Sequence, residues 1–539
     1  MATAALLAGV PGLSAPPLAK ADAGSSAQVA LDWNLNAVTA VRNAAPAKFQ
    51  TEGLIYMSYV QAAVYDAVTK IMGRYVPYHD FSANTAGASP EAAAIAASYN
   101  TLIVYLGDPD GSLAAKYTAA IAALPDAGKA QGIAVGQAAA ADVVALRAQD
   151  GRNAATATYG AIGPIVAGTW RVVPPSTTAQ TPWVAFMQPF LLKSPDQFRP
   201  DPPPTLSSAA WATEFNETKL YGAKNSAVRT PDQTATAYFW NANVINQVNQ
   251  TFRDFAIQHS LDLGDTARLL AMGELVETDA GIACFDAKYN YLFWRPYTAI
   301  RGADLDGNPD TVADPNWLPL VNTPNHPEYP AAHDCLTGAL SALLAAVAGT
   351  DRINADIWGA TDGGTTLTVK RHFDTADALQ TEIVNARVWI GFHFRQSAVE
   401  GVVLGRKVAH WAMKRYFRPL IDMPSIVARP ALSPVSGMQG ATTPSFTVSF
   451  PSDRVGQGQV YFGSGPGCRE LVEVATHDLN PGGTEHTVVV TGNDLPGTVG
   501  DNGILPGATY SFEVVTVTGR GVETDDNGGL CYSVRIPRQ

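Results

Sequence analysis

The residues most suited to chemistry stand in the stretch HPEYPAAHDC, residues 326–335. His326 and His333 lie seven positions apart, and the two prolines between them favour an extended path. The apolar run that follows predicts a helix beginning after Ala332, whose first backbone N–H groups have no partners within the helix. Because a helix N-terminus attracts anions, we expect His333 and these N–H groups to converge on one oxyanion. The alternative is an ordinary capping or surface histidine.

A second group, KYNYLFWRP, contains two cations in apolar surroundings. Lys288 and Arg295 are seven residues apart, which predicts one shared face of a helix that Pro296 limits. The aromatic residues between them indicate a buried helix, and buried cations require an anion. The alternative is two cations that extend from a helix surface into water.

A third group, NARVWIGFHFRQSAVEG, contains Arg387 and His393 on either side of an apolar segment. The spacing predicts that both lie near one end of a helix and the turn after it. The alternative is an interhelical salt bridge and a core histidine.

Helices are needed to position these three groups. Apolar residues at helical spacing predict many helices in this chain. Their number and short connections indicate a mainly α chain with a helical-bundle core. The clearest helical candidates are 54–70, 90–107, 128–150, 234–258, 263–294, 335–349, 376–391 and 398–416. Residues 151–210, rich in Pro, Gly and Thr, predict a long ordered loop that can carry binding residues.

The sequence changes in character near residue 420. Short β-branched and aromatic runs such as SFTVSF, TVVVTG and TYSFEVVTVTG, separated by turn residues, predict a small all-β sandwich. The segment LPGATYSFEVVTVTGRG resembles the late strands of fibronectin type III modules. We therefore divide the chain into a signal or leader segment at 1–23, an α-helical domain at 24–420 and a β-sandwich domain at 421–539.

Composition narrows the classes of partner and the cellular location. The chain has 36 basic and 48 acidic residues, a net charge of −12, which disfavours nucleic acid and anionic membranes as partners. Apolar runs long enough to span a membrane are lacking, and the Ala-rich N-terminus ending in ADA indicates export, so we expect a secreted or periplasmic protein. The four cysteines are then expected to form two disulfides, each within one domain.

Taken together, the three groups resemble the anion site of the vanadium-dependent haloperoxidases and the acid phosphatases of the same PAP2 superfamily. The shared pattern is Lys, six residues, Arg-Pro; then Pro-X-X-His; then Arg, five residues, His. The resemblance covers about residues 50–416 and is closest at 284–400. KYNYLFWRPYTAIR and HPEYPAAH are more similar to the haloperoxidase branch.

The resemblance implies a role for each residue and a vanadate cofactor, whose site phosphate can also occupy. Lys288, Arg295 and Arg387 would neutralise the equatorial oxygens of vanadate, and His393 would bind vanadium through a neutral imidazole. His333 would serve as the acid–base group, and Lys288 would polarise bound peroxide for attack by halide. The implied partners are hydrogen peroxide, a halide and a small organic acceptor, and a homo-oligomer is compatible with the family.

The chain departs from the family pattern at several positions. Ala331 and Ala332 replace the usual Ser and Gly, so the hydroxyl donor of the Ser is lost, whereas the Ala332 amide can still donate to the anion. Ser397 replaces an Asp that would support His393, and Glu400 is the nearest carboxylate on the same helix. His326 matches a position that resembles the bromide-oxidising members, which favours bromide or iodide as the halide.

Two other functions remain open. An acid phosphatase would use His393 as nucleophile, through a phosphohistidine, and His333 as proton donor. A non-catalytic secreted binding protein would keep the helical bundle as a scaffold for the β-domain.

Overall fold

A computed structural model describes most of the chain. The described residues are 27–160, 163–349, 351–362, 366–420, 431–433, 445–464, 471, 473–475, 478–491, 504, 508–518, 521–527 and 530–536. The expected leader at 1–23 and much of the junction near 420 lie outside these residues.

The helical part forms one large core, as the periodicity predicts. The central helices α2 and α9 pack against each other and are buried along most of their length, polar residues such as Asp66, Glu274 and Glu277 included. The helices are α1 Ala27–Asn43, α2 Gln50–Met72, α3 Pro90–Leu106, α4 Ser112–Ala123, α5 Lys129–Leu146, α6 Ala209–Tyr221, α7 Pro231–Phe239, α8 Val244–Gln258, α9 Leu263–Tyr291, α10 Pro296–Arg301, α11 Ala332–Ala348, α12 Ala376–Trp389 and α13 Arg395–Arg415. Among the described residues, no helix is both long and apolar enough to cross a membrane.

Helix α9 ends earlier than the sequence predicts. Leu292 adopts a left-handed conformation with φ 49° and donates its N–H to the carbonyl of Lys288. Arg295 is extended, as expected before a proline, and Pro296 begins α10. The prediction that Lys288 and Arg295 share one helical face is therefore wrong: Lys288 lies in the last turn of α9 and Arg295 in the loop after it.

The long segment between α5 and α6 is fixed to the core by a buried carboxylate. Asp279 on α9 accepts three backbone N–H bonds, from Phe190, Leu191 and Leu192, at 2.7, 2.7 and 2.8 Å. Within this segment, residues 182–186 form a 3-10 turn. This segment thus keeps a defined path beside the helices that carry the candidate site.

One hairpin interrupts the helical part and was not anticipated. Its antiparallel strands are β1 Ala355–Gly359 and β2 Val369–Phe373, with Ile357 opposite Arg371. The strands lie between α11 and α12, and β1 packs against α8.

The described residues of the C-terminal region are rich in β-strand, as predicted. Seven strands form an antiparallel arrangement around the long β4, whose pairing with β6 shifts register between Pro451 and Gly456. At this bend Asp478 accepts a bond from His486, whose other ring nitrogen lies 2.9 Å from the Ser452 hydroxyl. The strands are β3 Ala431–Ser433, β4 Ser445–Ser464, β5 Glu473–Ala475, β6 Gly483–Thr491, β7 Thr509–Thr518, β8 Gly521–Asp525 and β9 Tyr532–Arg535.

The cysteines differ from the expectation of two disulfides. Cys284 on α9 and Cys335 on α11 are free thiols, both buried. Cys531 is disulfide-bonded, and Cys468 lies outside the described residues.

Candidate functional site

A cavity of about 590 Å³ opens where the loop 326–331 meets α11 and the turn after α12. Uncharged polar side chains, including Gln50, Gln180, Asn241 and Asn322, form part of its wall. Five of the residues predicted from the sequence also line it: His326, Ala332, His333, Arg387 and His393. The other two, Lys288 and Arg295, are fully buried behind the loop and are not part of the lining.

The ammonium of Lys288 is surrounded by backbone carbonyls of the loop. Its Nζ donates to the carbonyls of Pro327 at 3.0 Å and Glu328 at 2.9 Å, and to that of Pro330. Since an ammonium has three N–H donors, all three are used. In this arrangement Lys288 fixes the path of the loop between the two histidines.

Arg295 joins the loop to the turn after α12. Its Nε donates to the carbonyl of His326 at 2.9 Å, and Nη2 lies 3.0 Å from Nδ1 of the same residue. Its Nη1 lies 3.0 Å from both the Phe392 carbonyl and Nε2 of His393. One guanidinium therefore contacts two of the three cavity histidines, His326 and His393.

Arg387, in the last turn of α12, is the buried cation that faces the cavity. Its Nη1 donates to the Trp240 carbonyl at 3.1 Å, whereas its Nε has no partner. The guanidinium also lies over the ring of Phe392, with 5.1 Å between its central carbon and the ring centroid. A buried guanidinium with an unused N–H is a ready donor to an anion.

His393 is held by a carboxylate that the sequence analysis did not identify. Its Nδ1 lies 2.9 Å from Oε1 of Glu328, and the same oxygen accepts the Phe394 N–H at 3.1 Å. Both side chains are almost completely buried. Ser397, the position where the resemblance led us to expect support for His393, instead places its hydroxyl 3.5 Å from the Glu328 carbonyl.

The first turn of α11 contributes His333 and the Ala332 amide, as the predicted helix start requires. Ala332 is the first helical residue, so its Cβ is compatible with the local backbone. Nε2 of His333 is buried without a partner, and the ring has a hydrogen bond to the Ala242 backbone. Asp334, the next residue, is buried with neither carboxylate oxygen paired.

His326 lies in the cavity wall between aromatic rings. Its ring centroid is 5.3 Å from that of Phe285 and 6.2 Å from that of Phe49. Nη2 of Arg295 lies 3.0 Å from Nδ1 and 3.4 Å from Nε2 of His326, and Nδ1 is also 3.3 Å from the Pro327 carbonyl.

Burial shifts the pKa of every ionisable group at the site toward its neutral form. Burial and the neighbouring cations hold the pKa of His326, His333 and His393 well below the usual range, so all three are neutral. Burial lowers the pKa of Lys288 to about 8 and raises that of Glu328 to about 7. An anion in the cavity would oppose the shifts of the cations, because it favours their charged forms.

Glu328 is the main residue that sequence reasoning missed, although it stands inside HPEYPAAHDC. A carboxylate between two prolines in an otherwise apolar loop was the available signal, since a buried charge requires a partner. Glu400, which sequence reasoning considered for this role, has no hydrogen bond to His393 among the contacts that the structure gives for the ring.

Comparison with known proteins matches part of the chain to a family model. Residues 268–421 match the VCPO second helical-bundle domain. The matched segment contains Lys288, Arg295, His333, Arg387 and His393. A curated relative, vanadium chloroperoxidase from Curvularia inaequalis, is 28% identical over 268 residues. That match covers 38% of this chain and 43% of the relative, so the chain spans less than half of the relative's length.

Solved structures match a larger share of the chain. The first bacterial vanadium-dependent iodoperoxidase superposes with a TM-score of 0.59 at 22% identity, covering 73% of this chain and 97% of that one. An apo-type bacterial vanadium-dependent chloroperoxidase gives a TM-score of 0.57 at 17% identity, covering 69% and 95%. The chain therefore has the vanadium-haloperoxidase fold, and its sequence matches support a relationship to the vanadium haloperoxidase family.

Proposed function

We propose that this protein is a vanadate-dependent haloperoxidase, which uses hydrogen peroxide to oxidise a halide to a hypohalous acid equivalent. The observation that carries the proposal is a set of unused polar atoms around one cavity: Nε of Arg387 and Nε2 of His333, beside the imidazole of His393. These are donors and ligands suited to a tetrahedral oxyanion bound to an imidazole nitrogen.

The residues present fit vanadate. Three cations, Lys288, Arg295 and Arg387, belong to the same buried cluster as two carboxylates, Glu328 and Asp334. When all five are ionised, a positive charge remains that a bound oxyanion would balance. The Ala332 N–H, in the first turn of α11, adds a backbone donor at the cavity wall.

Vanadate, when bound, supplies a Lewis-acidic centre that activates hydrogen peroxide toward halide. Arg387 would hold the anion, and Lys288 and Arg295 would contribute positive charge from behind the loop. His393 presents a neutral imidazole as the metal ligand. His333 accepts a proton from peroxide at its unpartnered Nε2, because burial keeps the ring neutral.

Halide preference and cellular setting are part of the proposal. We propose bromide or iodide as the halide, with His326 as the residue that tunes it, since His326 lines the cavity. A small organic acceptor would enter the cavity beside the Asn and Gln side chains that form part of its wall.

We also propose a secreted or periplasmic location, which cell fractionation tests, and a homo-oligomer, which sedimentation tests.

A second candidate is phosphoester hydrolysis through a phosphohistidine. The contact between Glu328 and His393 favours it, because a nucleophilic histidine is activated when a carboxylate holds its other nitrogen. Loss of the usual Asp at position 397 therefore gives no argument against a phosphatase.

One experiment separates the two functions. Apoprotein, with and without added vanadate, is assayed for peroxide-dependent halogenation of a diketone dye with chloride, bromide and iodide, and for hydrolysis of a chromogenic phosphate ester. We expect vanadate-dependent bromination or iodination that His393→Ala abolishes. Ester hydrolysis without halogenation, inhibited by phosphate and indifferent to peroxide, would favour the phosphatase.

A further inference from the structure

Glu328 is a buried carboxylate whose backbone is held by hydrogen bonds to Lys288 and Phe293. The residue is completely buried, and the Lys288 ammonium donates to its carbonyl at 2.9 Å. Its backbone N–H donates to the Phe293 carbonyl at 3.0 Å. The segment at the end of α9 thus fixes the backbone of Glu328 from both sides and directs the side chain toward His393.

The two neighbours of the His393 ring specify the same tautomer. An ionised carboxylate only accepts hydrogen bonds, so the contact from Oε1 of Glu328 requires a proton on Nδ1 of His393. A guanidinium only donates, so the contact from Nη1 of Arg295 requires a lone pair on Nε2. The hydrogen bonds of His393 are therefore consistent only with a neutral ring protonated at Nδ1.

We propose that Glu328 is the positioning residue that fixes this tautomer and orientation of His393, so that Nε2 is the nitrogen available to bind an oxyanion centre. This role deepens the proposed function, on which its consequence for anion binding rests. The side chain at position 397 does not supply it, because the Ser397 hydroxyl contacts Glu328 and not His393.

The test uses three variants of the full chain. Glu328→Ala removes the acceptor, whereas Glu328→Gln keeps an oxygen that can accept from both Nδ1 of His393 and the Phe394 N–H. Glu274→Gln is the matched control. Like Glu328, Glu274 is a fully buried carboxyl, but it lies on α9 and contacts none of the cavity histidines. Melting temperature shows that each variant is folded.

The first readout is the tautomer of His393, measured by NMR of protein labelled with ¹⁵N-histidine, without any anion. We expect Nδ1–H in the wild type, in Glu328→Gln and in the control, and a smaller fraction of Nδ1–H in Glu328→Ala, where only the Arg295 contact still favours it. A proton on Nε2 in the wild type would overturn the proposal, and so would an unchanged tautomer in a folded Glu328→Ala.

The second readout is the dissociation constant of the apoprotein for vanadate and, separately, for inorganic phosphate, by calorimetry. We expect Glu328→Ala to weaken vanadate binding about 10- to 100-fold, the usual effect of removing a partner of a ligand histidine, and Glu328→Gln to remain close to wild type. Absence of binding by the wild type would refute the proposed function, while the tautomer measurement would still decide the role of Glu328.

Discussion

Nη1 of Arg295 lies 3.0 Å from Nε2 of His393, the nitrogen that the proposed function assigns to the oxyanion centre. The same guanidinium nitrogen also donates to the Phe392 carbonyl at 3.0 Å. When an anion binds at Nε2, this contact of Arg295 is exchanged for one with the anion, so the guanidinium loses no hydrogen-bond partner. Arg295 therefore connects the loop to the turn that carries His393.

We expect Arg387→Met to weaken vanadate and phosphate binding at least tenfold. The variant removes a buried cation whose Nε is unpaired at the cavity, and hydrogen bonds from charged donors are about twice as strong as neutral ones. Calorimetric titration of the apoprotein measures the loss. Arg371→Met is the control, because Arg371 donates to Thr236 and Glu382 away from the cavity. Equal affinity in both variants would contradict the assignment of Arg387.

Lys288→Met tests whether this ammonium organises the loop. The change leaves the carbonyls of Pro327, Glu328 and Pro330 without their donor, so we expect a lower melting temperature together with weaker anion binding. Both are measured without added halide or peroxide. A variant that loses anion affinity at unchanged melting temperature would show that Lys288 acts on the anion alone.

His333→Gln should separate binding from turnover. Since His333 is proposed to move a proton at Nε2, we expect the halogenation rate to fall about 10²- to 10⁴-fold, while vanadate affinity changes little. Steady-state rates at saturating vanadate, together with the dissociation constant, give the comparison. A loss confined to affinity would instead assign His333 to anion binding.

We expect His410, which lies outside the candidate site, to make the stability of the protein depend on pH. It is buried on α13 beside Tyr461 of β4, and burial, with a smaller contribution from Arg406, lowers its pKa to about 3. Below its ordinary pKa near 6.5, the unfolded chain takes up a proton at His410 that the folded chain does not, so this residue lowers stability as pH falls.

The matched variant is His410→Leu, compared with wild type by denaturant unfolding at pH 7 and pH 5. We expect the stability difference to move in favour of the variant at pH 5, with a limiting slope of about 1.4 kcal/mol per pH unit below pH 6.5. A difference that is independent of pH would show that His410 is protonated in the folded protein or shielded in the unfolded one.

Much of the fold follows from sequence periodicity. Apolar spacing predicted most of the core helices and the β-rich C-terminal region, because the spacing of apolar residues depends on local sequence alone. Helices α1, α4 and α6 were not among the predicted candidates, and the candidate 234–258 is divided between α7 and α8. The hairpin β1–β2 escaped prediction, since its strands are short and partly exposed. The end of α9 was also misplaced, because the left-handed Leu292 has no signature in residue type.

By itself the sequence determined which residues could form an anion site. Lys288, Arg295, His333, Arg387 and His393 were selected by residue type, spacing and their apolar surroundings. The sequence also predicted the extended loop after His326 and the helix that starts near Ala332. Proline geometry and helix termini depend mainly on neighbouring residues.

Only the tertiary structure decided how these residues are used. It placed Lys288 and Arg295 behind the loop, Arg387 at the cavity, and Glu328 against His393, 65 positions away in the chain. Such pairings depend on how separate helices and loops pack. A buried carboxylate and an imidazole must find partners wherever packing excludes water, and sequence spacing does not encode which partner that is.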